Sequence, residues 1–188
     1  MLKKNVSRDK VVIASKVYFN AGRLSREAIR REIGGSLRRL GIDYLDLYII
    51  HRFDYETPME EPMEALNDLV RAGKVRALGA SAVYGYQFYN MQLCARDHGW
   101  ARFEAMENHY NLLYREDERE LIPICRQMGV SLMLYSPLAA GPLTRAQRGR
   151  QIRSAAIQTV WRWASTTAPR NRICRSSPVF TSWQKDTA

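Results

Sequence analysis

Two residues that could perform acid–base chemistry lie at the ends of apolar segments of the chain. Lys16 lies near the end of the apolar run Val11–Val17, and His51 directly follows the apolar run Tyr44–Ile50. A charged side chain is costly to bury at such a position without a purpose. A lysine and a neutral histidine at one site could tune a proton donor and polarise a carbonyl group. The alternative is that each residue only marks the point at which the chain leaves the core for solvent.

The elements that would position these residues repeat along the chain. Five short apolar runs start 33, 31, 28 and 28 residues apart, and they are Val11–Val17, Tyr44–Ile50, Val75–Ala80, Phe103–Glu107 and Ser131–Ser136. Stretches with helical spacing of apolar residues separate these runs. The first of them begins at Ser25 and ends at Gly41, which are typical helix caps. Strand, helix and strand again, at a period of about 30 residues, predict repeated βα units with parallel strands.

Two architectures are built from such units, the doubly wound sheet and the (β/α)8 barrel. A doubly wound sheet favours a GxGxxG phosphate loop after its first strand, and none follows Val17. Polar residues instead follow nearly every strand, at the end where a barrel builds its active site; these residues are Lys16, His51, Ser81, Asn108 and Ser136. We therefore predict an α/β chain that forms a partial (β/α)8 TIM barrel over residues 1–145, with about five of the eight units.

The net charge of +10 is concentrated in the last part of the chain. Residues 1–143 carry 20 basic and 18 acidic side chains, whereas residues 144–188 carry nine and one. We expect residues 146–188 to be a basic tail that is poorly ordered or read out of frame, apart from a helix around Ile152–Ala164. A nucleic-acid-binding arm is the alternative. Because the main body is nearly neutral, we expect no nucleic-acid partner.

Cysteine content and hydropathy indicate the compartment. Cys94, Cys125 and Cys174 are odd in number and widely spaced, which fits the reduced thiols of a cytoplasmic protein and indicates no metal site. No run approaches 18 apolar residues, so we expect no membrane partner.

Several long segments resemble the aldo-keto reductases, in the bacterial branch related to the potassium-channel β-subunits. The segments are IASK at 13–16, SLRRLGIDYLDLYIIHR at 36–52, EALNDLVRAGKVRALGAS at 64–81 and YSPLAAG at 135–141. They occur in the family's order, and the resemblance covers about residues 8–145. It implies NADPH-dependent reduction of a small aldehyde or ketone on a (β/α)8 barrel, with the five strands as the third to the seventh.

The resemblance also implies roles for individual residues. In the family a Lys lowers the pKa of a Tyr that protonates the carbonyl oxygen, an Asp pairs with that Lys, and a His orients the substrate. Lys16 and His51 match the Lys and the His. Ser81 matches a residue that hydrogen-bonds the nicotinamide carboxamide, and Tyr135 matches a ring stacked on the nicotinamide. The positions near the pyrophosphate are Ser136, Leu138 and Gly141.

The departures from the family pattern bear on activity. Glu107 stands where a Gln contacts the carboxamide, and an ionised carboxylate can only accept hydrogen bonds there. The family's catalytic Tyr and Asp lie in its first two units, and the sequence before Lys16 does not match them. His109, after the fourth strand, could line a pocket, but packing is the expected role. We therefore expect little or no carbonyl reduction by this chain, with a non-catalytic cofactor-sensing or partner-binding subunit as the alternative. Five units would also leave open sheet edges that could self-associate.

Overall fold

Each of the five predicted βα strands is present in the computed structural model, which describes residues 5–144. The strands are β1 (Ala14–Val17), β2 (Leu45–Ile50), β3 (Val75–Ser81), β4 (Phe103–His109) and β5 (Ser131–Tyr135). The helices between them are α1 (Arg26–Leu40), α2 (Glu60–Arg71), α3 (Gly85–His98) and α4 (Leu121–Met128). Short 3-10 helices in the same part of the chain span Arg8–Lys10, Glu116–Glu118 and Pro142–Thr144.

Helix α1 begins and ends where the sequence predicts. The Ser25 hydroxyl accepts a hydrogen bond from the backbone N–H of Ala28 at 3.3 Å, and so satisfies an amide that the first turn leaves without a partner. Gly41 ends the helix with φ of 63°, a left-handed conformation that glycine adopts without a Cβ clash. The apolar positions Ile29 and Ile33 are fully buried against the sheet side of the helix.

The strands lie in the order β1-β2-β3-β4-β5, and each pair of neighbours is parallel. A doubly wound sheet reverses its strand order at a switch point. The described sheet has no such reversal, so every strand adds to the same side of the previous one. This is the order of a barrel wall, and the prediction of five parallel βα units is confirmed.

The two faces of the sheet are packed differently. The larger apolar cluster contains Tyr48, Phe88 and Met106 and fills the space between the sheet and the helices. A smaller cluster on the other face consists of Leu47, Ile49 and Ala105, with Ala77 packed against it. Gly79 lies among these residues, since a Cβ added there would be 3.1 Å from Ile49 Cγ1 and 3.3 Å from the carbonyl oxygen of Ala105. We call this second side the inner face.

Strand β1 is shorter than predicted. It begins at Ala14, whereas the apolar run begins at Val11. The reason is a side-chain contact: the backbone N–H of Ile13 donates to Asp46 Oδ2 at 2.8 Å instead of to a neighbouring strand. The Asp46 carboxylate thus replaces one backbone acceptor of the hydrogen bonds between the strands.

Asp46 also holds together the amino end of the sheet. Its carboxylate pairs with Arg8 at 2.6 Å and with Arg76 at 3.1 Å. Both guanidinium groups lie 4.1 Å from the centroid of the Tyr44 ring, a distance typical of cation–π contacts. Burial opposes ionisation of Asp46, but hydrogen bonds from Ile13 and Arg8 and the charges of the two arginines outweigh it and lower the pKa.

The chain divides into two units after Pro137. In the second unit, the turn Leu138–Gly141 is closed by a 2.9 Å hydrogen bond from the N–H of Gly141 to the carbonyl of Leu138, and a short 3-10 helix follows. Residues 145–188, which include the whole predicted basic tail at 146–188 and its predicted helix, lie outside the described residues. Within residues 5–144, no helix is long and apolar enough to cross a membrane.

Candidate active site

Strand register places one predicted catalytic residue and two predicted cofactor-binding residues on the inner face of the sheet. Lys16 is the register partner of Ile49, which belongs to the inner-face cluster. Glu107 follows Ala105, another member of that cluster, by two residues, and its register partner is Ser81. Register partners in neighbouring parallel strands point to the same side, and side chains along a strand alternate. Lys16, Ser81 and Glu107 therefore share the inner face, at the carboxyl end of the sheet.

Lys16 and Glu107 form an ion pair, with 2.9 Å between Lys16 Nζ and Glu107 Oε2. The two residues lie on β1 and β4, whose backbones would be roughly 14 Å apart along a flat sheet. The inward curl of a barrel wall brings the side chains within reach of each other. Their exposed fractions are 33% and 17%, so the pair is partly shielded from water. The sequence does not predict this contact, because no spacing along the chain connects strands that are three positions apart in the sheet.

His51 lies next to this ion pair. Its ring packs edge-to-face on Phe19, with 4.8 Å between the centroids. Burial lowers the pKa of His51, the positive charges of Lys16 and Arg52 lower it further, and the Glu107 carboxylate opposes them. The imidazole is therefore neutral at pH 7, and it can donate a hydrogen bond to a carbonyl oxygen without carrying a charge.

Because charges of both signs surround His51, two substitutions should shift its pKa in opposite directions. Lys16→Met removes a positive charge and should raise the pKa of His51, whereas Glu107→Gln removes a negative charge and should lower it. NMR titration of the histidine ring resonances measures both shifts, and His98, outside the site, serves as the internal reference. Shifts of the same sign in the two variants would contradict the arrangement.

Asn108, a polar strand-end residue like the others, is not part of this group. It lies between Glu107 and His109 on β4 and so points to the opposite side of the sheet. Its side-chain amide donates to Asp117 Oδ2 at 2.9 Å and ties the strand to the following 3-10 helix. Burial raises the pKa of Asp117, although this hydrogen bond works against the shift. The Asn108 side chain therefore contributes to the packing outside the inner face.

A stack of three rings lies beyond Glu107 on the inner face. His109 is the register partner of Tyr135, and their rings are nearly parallel, with 5.1 Å between centroids and an interplanar angle of 8°. The other neighbour of the His109 ring is Tyr114, at 4.5 Å and 24°. Tyr135 thus reaches the inner face with one side of its ring supported by His109. The expected packing role of His109 agrees with this contact.

The loop after β2, which carries His51, is fixed by a buried carboxylate that no sequence motif marks. Asp54 is 4% exposed and accepts hydrogen bonds from the Leu24 N–H at 3.1 Å, the Glu56 N–H at 3.0 Å and the Thr57 hydroxyl at 2.8 Å. Burial alone would raise the pKa of Asp54, but these hydrogen bonds outweigh burial and lower it. The three hydrogen bonds reach Asp54 from separate positions in the sequence, so only the folded structure reveals them.

The residues predicted to approach a pyrophosphate fall in both units of the chain. Ser136 belongs to the first unit, has φ of 55°, and its carbonyl accepts a hydrogen bond from Asn111 Nδ2 at 3.1 Å. Leu138 and Gly141 belong to the second unit, where Gly141 has φ of 121°. Their role at a phosphate stays a prediction. Across the described residues, no group of His, Cys, Asp and Glu side chains could hold a metal ion.

Comparisons with known proteins agree with this architecture. The sequence profile of the aldo/keto reductase family matches residues 1–173. An aldo-keto reductase of Fusarium vanettenii is 51% identical over 143 residues, which cover 75% of this chain and 39% of that protein. An aldo-keto reductase of Alternaria alternata is 49% identical over 136 residues, covering 72% and 37%. The versiconal hemiacetal acetate reductase of Aspergillus parasiticus is 42% identical over 171 residues, covering 79% and 50%.

The chain spans between about a third and a half of the length of these relatives. All three are fungal, so the bacterial branch related to potassium-channel β-subunits is not confirmed. The parallel sheet with its helices is consistent with a partial (β/α)8 barrel of the matched family. On the profile match and the long stretches of identity, this chain belongs to the aldo/keto reductase family.

Proposed function

We propose that this chain is part of an NADPH-dependent reductase that converts small aldehydes or ketones into alcohols. The observation that carries the proposal is the Lys16–Glu107 ion pair beside a neutral His51, on the inner face at the carboxyl end of the sheet. Barrel enzymes place their chemistry at this end. Family membership and relatives that are named as reductases support an oxidoreductase.

The residues on the inner face fit a nicotinamide cofactor. Tyr135 offers a flat ring whose other side is supported by His109, which suits a planar nicotinamide. Ser81 can hydrogen-bond the carboxamide with its hydroxyl, and Glu107 can accept from the carboxamide NH2. Bound NADPH supplies a hydride to the carbonyl carbon of the substrate. The preference for NADPH over NADH follows from the family resemblance and is part of the proposal.

The chain's own groups act on the carbonyl oxygen. As the carbon accepts a hydride, negative charge develops on that oxygen, and a fixed positive charge or N–H donor nearby stabilises it. Neutral His51 is positioned to donate a hydrogen bond to the oxygen, and the Lys16 ammonium supplies the positive charge. Glu107 holds that ammonium in place through the ion pair. The Tyr that would protonate the oxygen in the family is not matched before Lys16, so we propose that turnover by residues 1–188 is low.

Self-association in the cytoplasm is a further part of the proposal. Strand β5 is an edge of the described sheet, and its side chains Leu132, Met133 and Leu134 are between 36% and 46% exposed. An edge strand with unpaired backbone groups and apolar side chains favours pairing with another chain.

The test is a titration of the 188-residue chain with NADPH, followed by fluorescence, together with an assay of NADPH oxidation in the presence of 4-nitrobenzaldehyde. Saturable NADPH binding with slow, aldehyde-dependent oxidation is the expected result. Binding without any oxidation would favour the non-catalytic, cofactor-sensing subunit. If NADPH does not bind at concentrations well above those typical of such enzymes, the proposal is wrong.

A further inference from the structure

We propose that His109 is a positioning residue that fixes the plane of the Tyr135 ring by stacking on it. The inference rests on the proposed function, in which the Tyr135 ring supports the nicotinamide. Its physical content is a contact between two side chains of this chain, which can be measured without a cofactor.

The rings of His109 and Tyr135 have the geometry of a stacked pair. His109 and Tyr135 are register partners on neighbouring strands, and their rings are 8° from parallel at 5.1 Å between centroids. Tyr114 packs on His109 at 4.5 Å. Aromatic pairs at such separations contribute beyond their buried area. Because His109 is held between two rings, rotation of the Tyr135 ring out of the stack would break a contact that both strands support.

A hydrogen-bond network links the stack to the backbone next to Tyr135. Asn111 is 4% exposed, and its Nδ2 lies 3.1 Å from the carbonyl oxygen of Ser136 and 3.3 Å from His109 Nε2. The same residue's Oδ1 accepts from the N–H of Tyr114 at 3.0 Å. A single amide therefore ties the third ring of the stack, the imidazole and the chain just after Tyr135 into one unit.

The contact between Asn111 and His109 depends on the charge state of the imidazole. The Asn111 NH2 group is a donor, so its 3.3 Å contact with His109 Nε2 is a hydrogen bond only when that nitrogen carries no proton. Burial lowers the pKa of His109, and the Asp117 carboxylate opposes that shift. The other titratable groups around the stack are Glu107, Tyr114, Arg52 and Tyr135 itself. His109 is thus neutral at pH 7, and protonation replaces a hydrogen bond with a donor–donor contact.

A ring that is already held in its binding orientation loses less freedom when a ligand stacks on it. Truncating His109 to alanine should therefore weaken NADPH binding by about two- to tenfold. His109→Phe keeps a flat ring between Tyr114 and Tyr135 and should retain most of the affinity. Since Phe cannot be protonated, this variant should also lose any dependence of the stack on His109 ionisation.

The experiment places 3-fluorotyrosine at position 135 and follows it by fluorine NMR, in parallel with NADPH titrations. The label should give one sharp resonance whose shift follows a titration below pH 6.5 in the wild-type chain. The resonance should move or broaden in His109→Ala, and stay sharp but independent of pH in that range in His109→Phe. The matched control is His98→Ala, because His98 also stacks on an aromatic ring, Trp100, with centroids 4.3 Å apart, and lies outside the site.

The two readouts separate this inference from the proposed function. If the fluorine signature is as expected but wild-type chain binds no NADPH, the stack is supported and the proposed function fails. If NADPH binds and His109→Ala changes neither the fluorine resonance nor the affinity, the inference about His109 is overturned and the proposed function stands. A response of His98→Ala equal to that of His109→Ala would also overturn the inference.

Discussion

Lys16→Met should lower the rate of NADPH oxidation with 4-nitrobenzaldehyde by about 100- to 1,000-fold, the range typical of losing one group that stabilises the charge developing on the carbonyl oxygen. The substitution removes the positive charge that we propose acts on the carbonyl oxygen, and it leaves Glu107 without the ammonium with which it pairs. The measurement is the ratio of variant to wild-type rates, made at a protein concentration at which the wild-type rate lies well above the background rate. Equal rates in the two proteins would show that the assignment of Lys16 is wrong.

Two further variants make this result interpretable. Lys74→Met removes an exposed lysine at the amino end of β3, away from the inner-face site, and should leave the rate unchanged. The double variant Lys16→Met, Glu107→Gln removes the whole ion pair. If the double variant recovers much of the lost rate, the single variant suffers mainly from an unpaired carboxylate. If it does not, the ammonium itself is needed.

Phe88→Ala should destabilise the chain by about 3–5 kcal/mol, the usual cost of removing a buried phenylalanine. Phe88 on α3 is completely buried, and its ring stacks on Phe103 at the start of β4 with 6.0 Å between centroids. The contact holds the helix on the strand that carries Glu107 and His109. Urea unfolding followed by circular dichroism measures the loss in free energy of unfolding.

Phe19→Ala is the matched control for this measurement. Phe19 is 63% exposed, so its truncation opens no cavity in the core and should cost less than about 1 kcal/mol. If Phe88→Ala costs as little free energy of unfolding as Phe19→Ala, the packing of α3 does not depend on Phe88.

The sequence predicts those parts of the fold that depend on neighbours along the chain. Helix α1 is an example, because Ser25 and Gly41 act on backbone groups within a few residues of themselves. The position of Lys16 and His51 at strand ends is equally local. The start of β1 was predicted too early because Asp46, 33 residues from Ile13, takes the amide that a strand would use.

The residues of the site could be predicted from the sequence only in part, because some of their contacts depend on how distant strands pair. Lys16, His51, Ser81 and Tyr135 were identified by resemblance, and register brings the strand residues among them onto one face. The pairing of Lys16 with Glu107 depends on the curl of the sheet, which no segment of the sequence encodes alone. The support of Tyr135 by His109 likewise depends on the pairing of β4 with β5.

The strand order has a consequence for how the chain is made. Each of the strands β2 to β5 pairs with the strand that precedes it in the sequence, about 30 residues earlier, and β1 pairs with the strand that follows it, β2. Because a ribosome releases the chain from its amino end, each βα unit can dock on a sheet that already exists. At every stage the newest strand is the growing edge, and the next strand to emerge covers it. In the described part of the chain, β5 is the last strand to be added in this way.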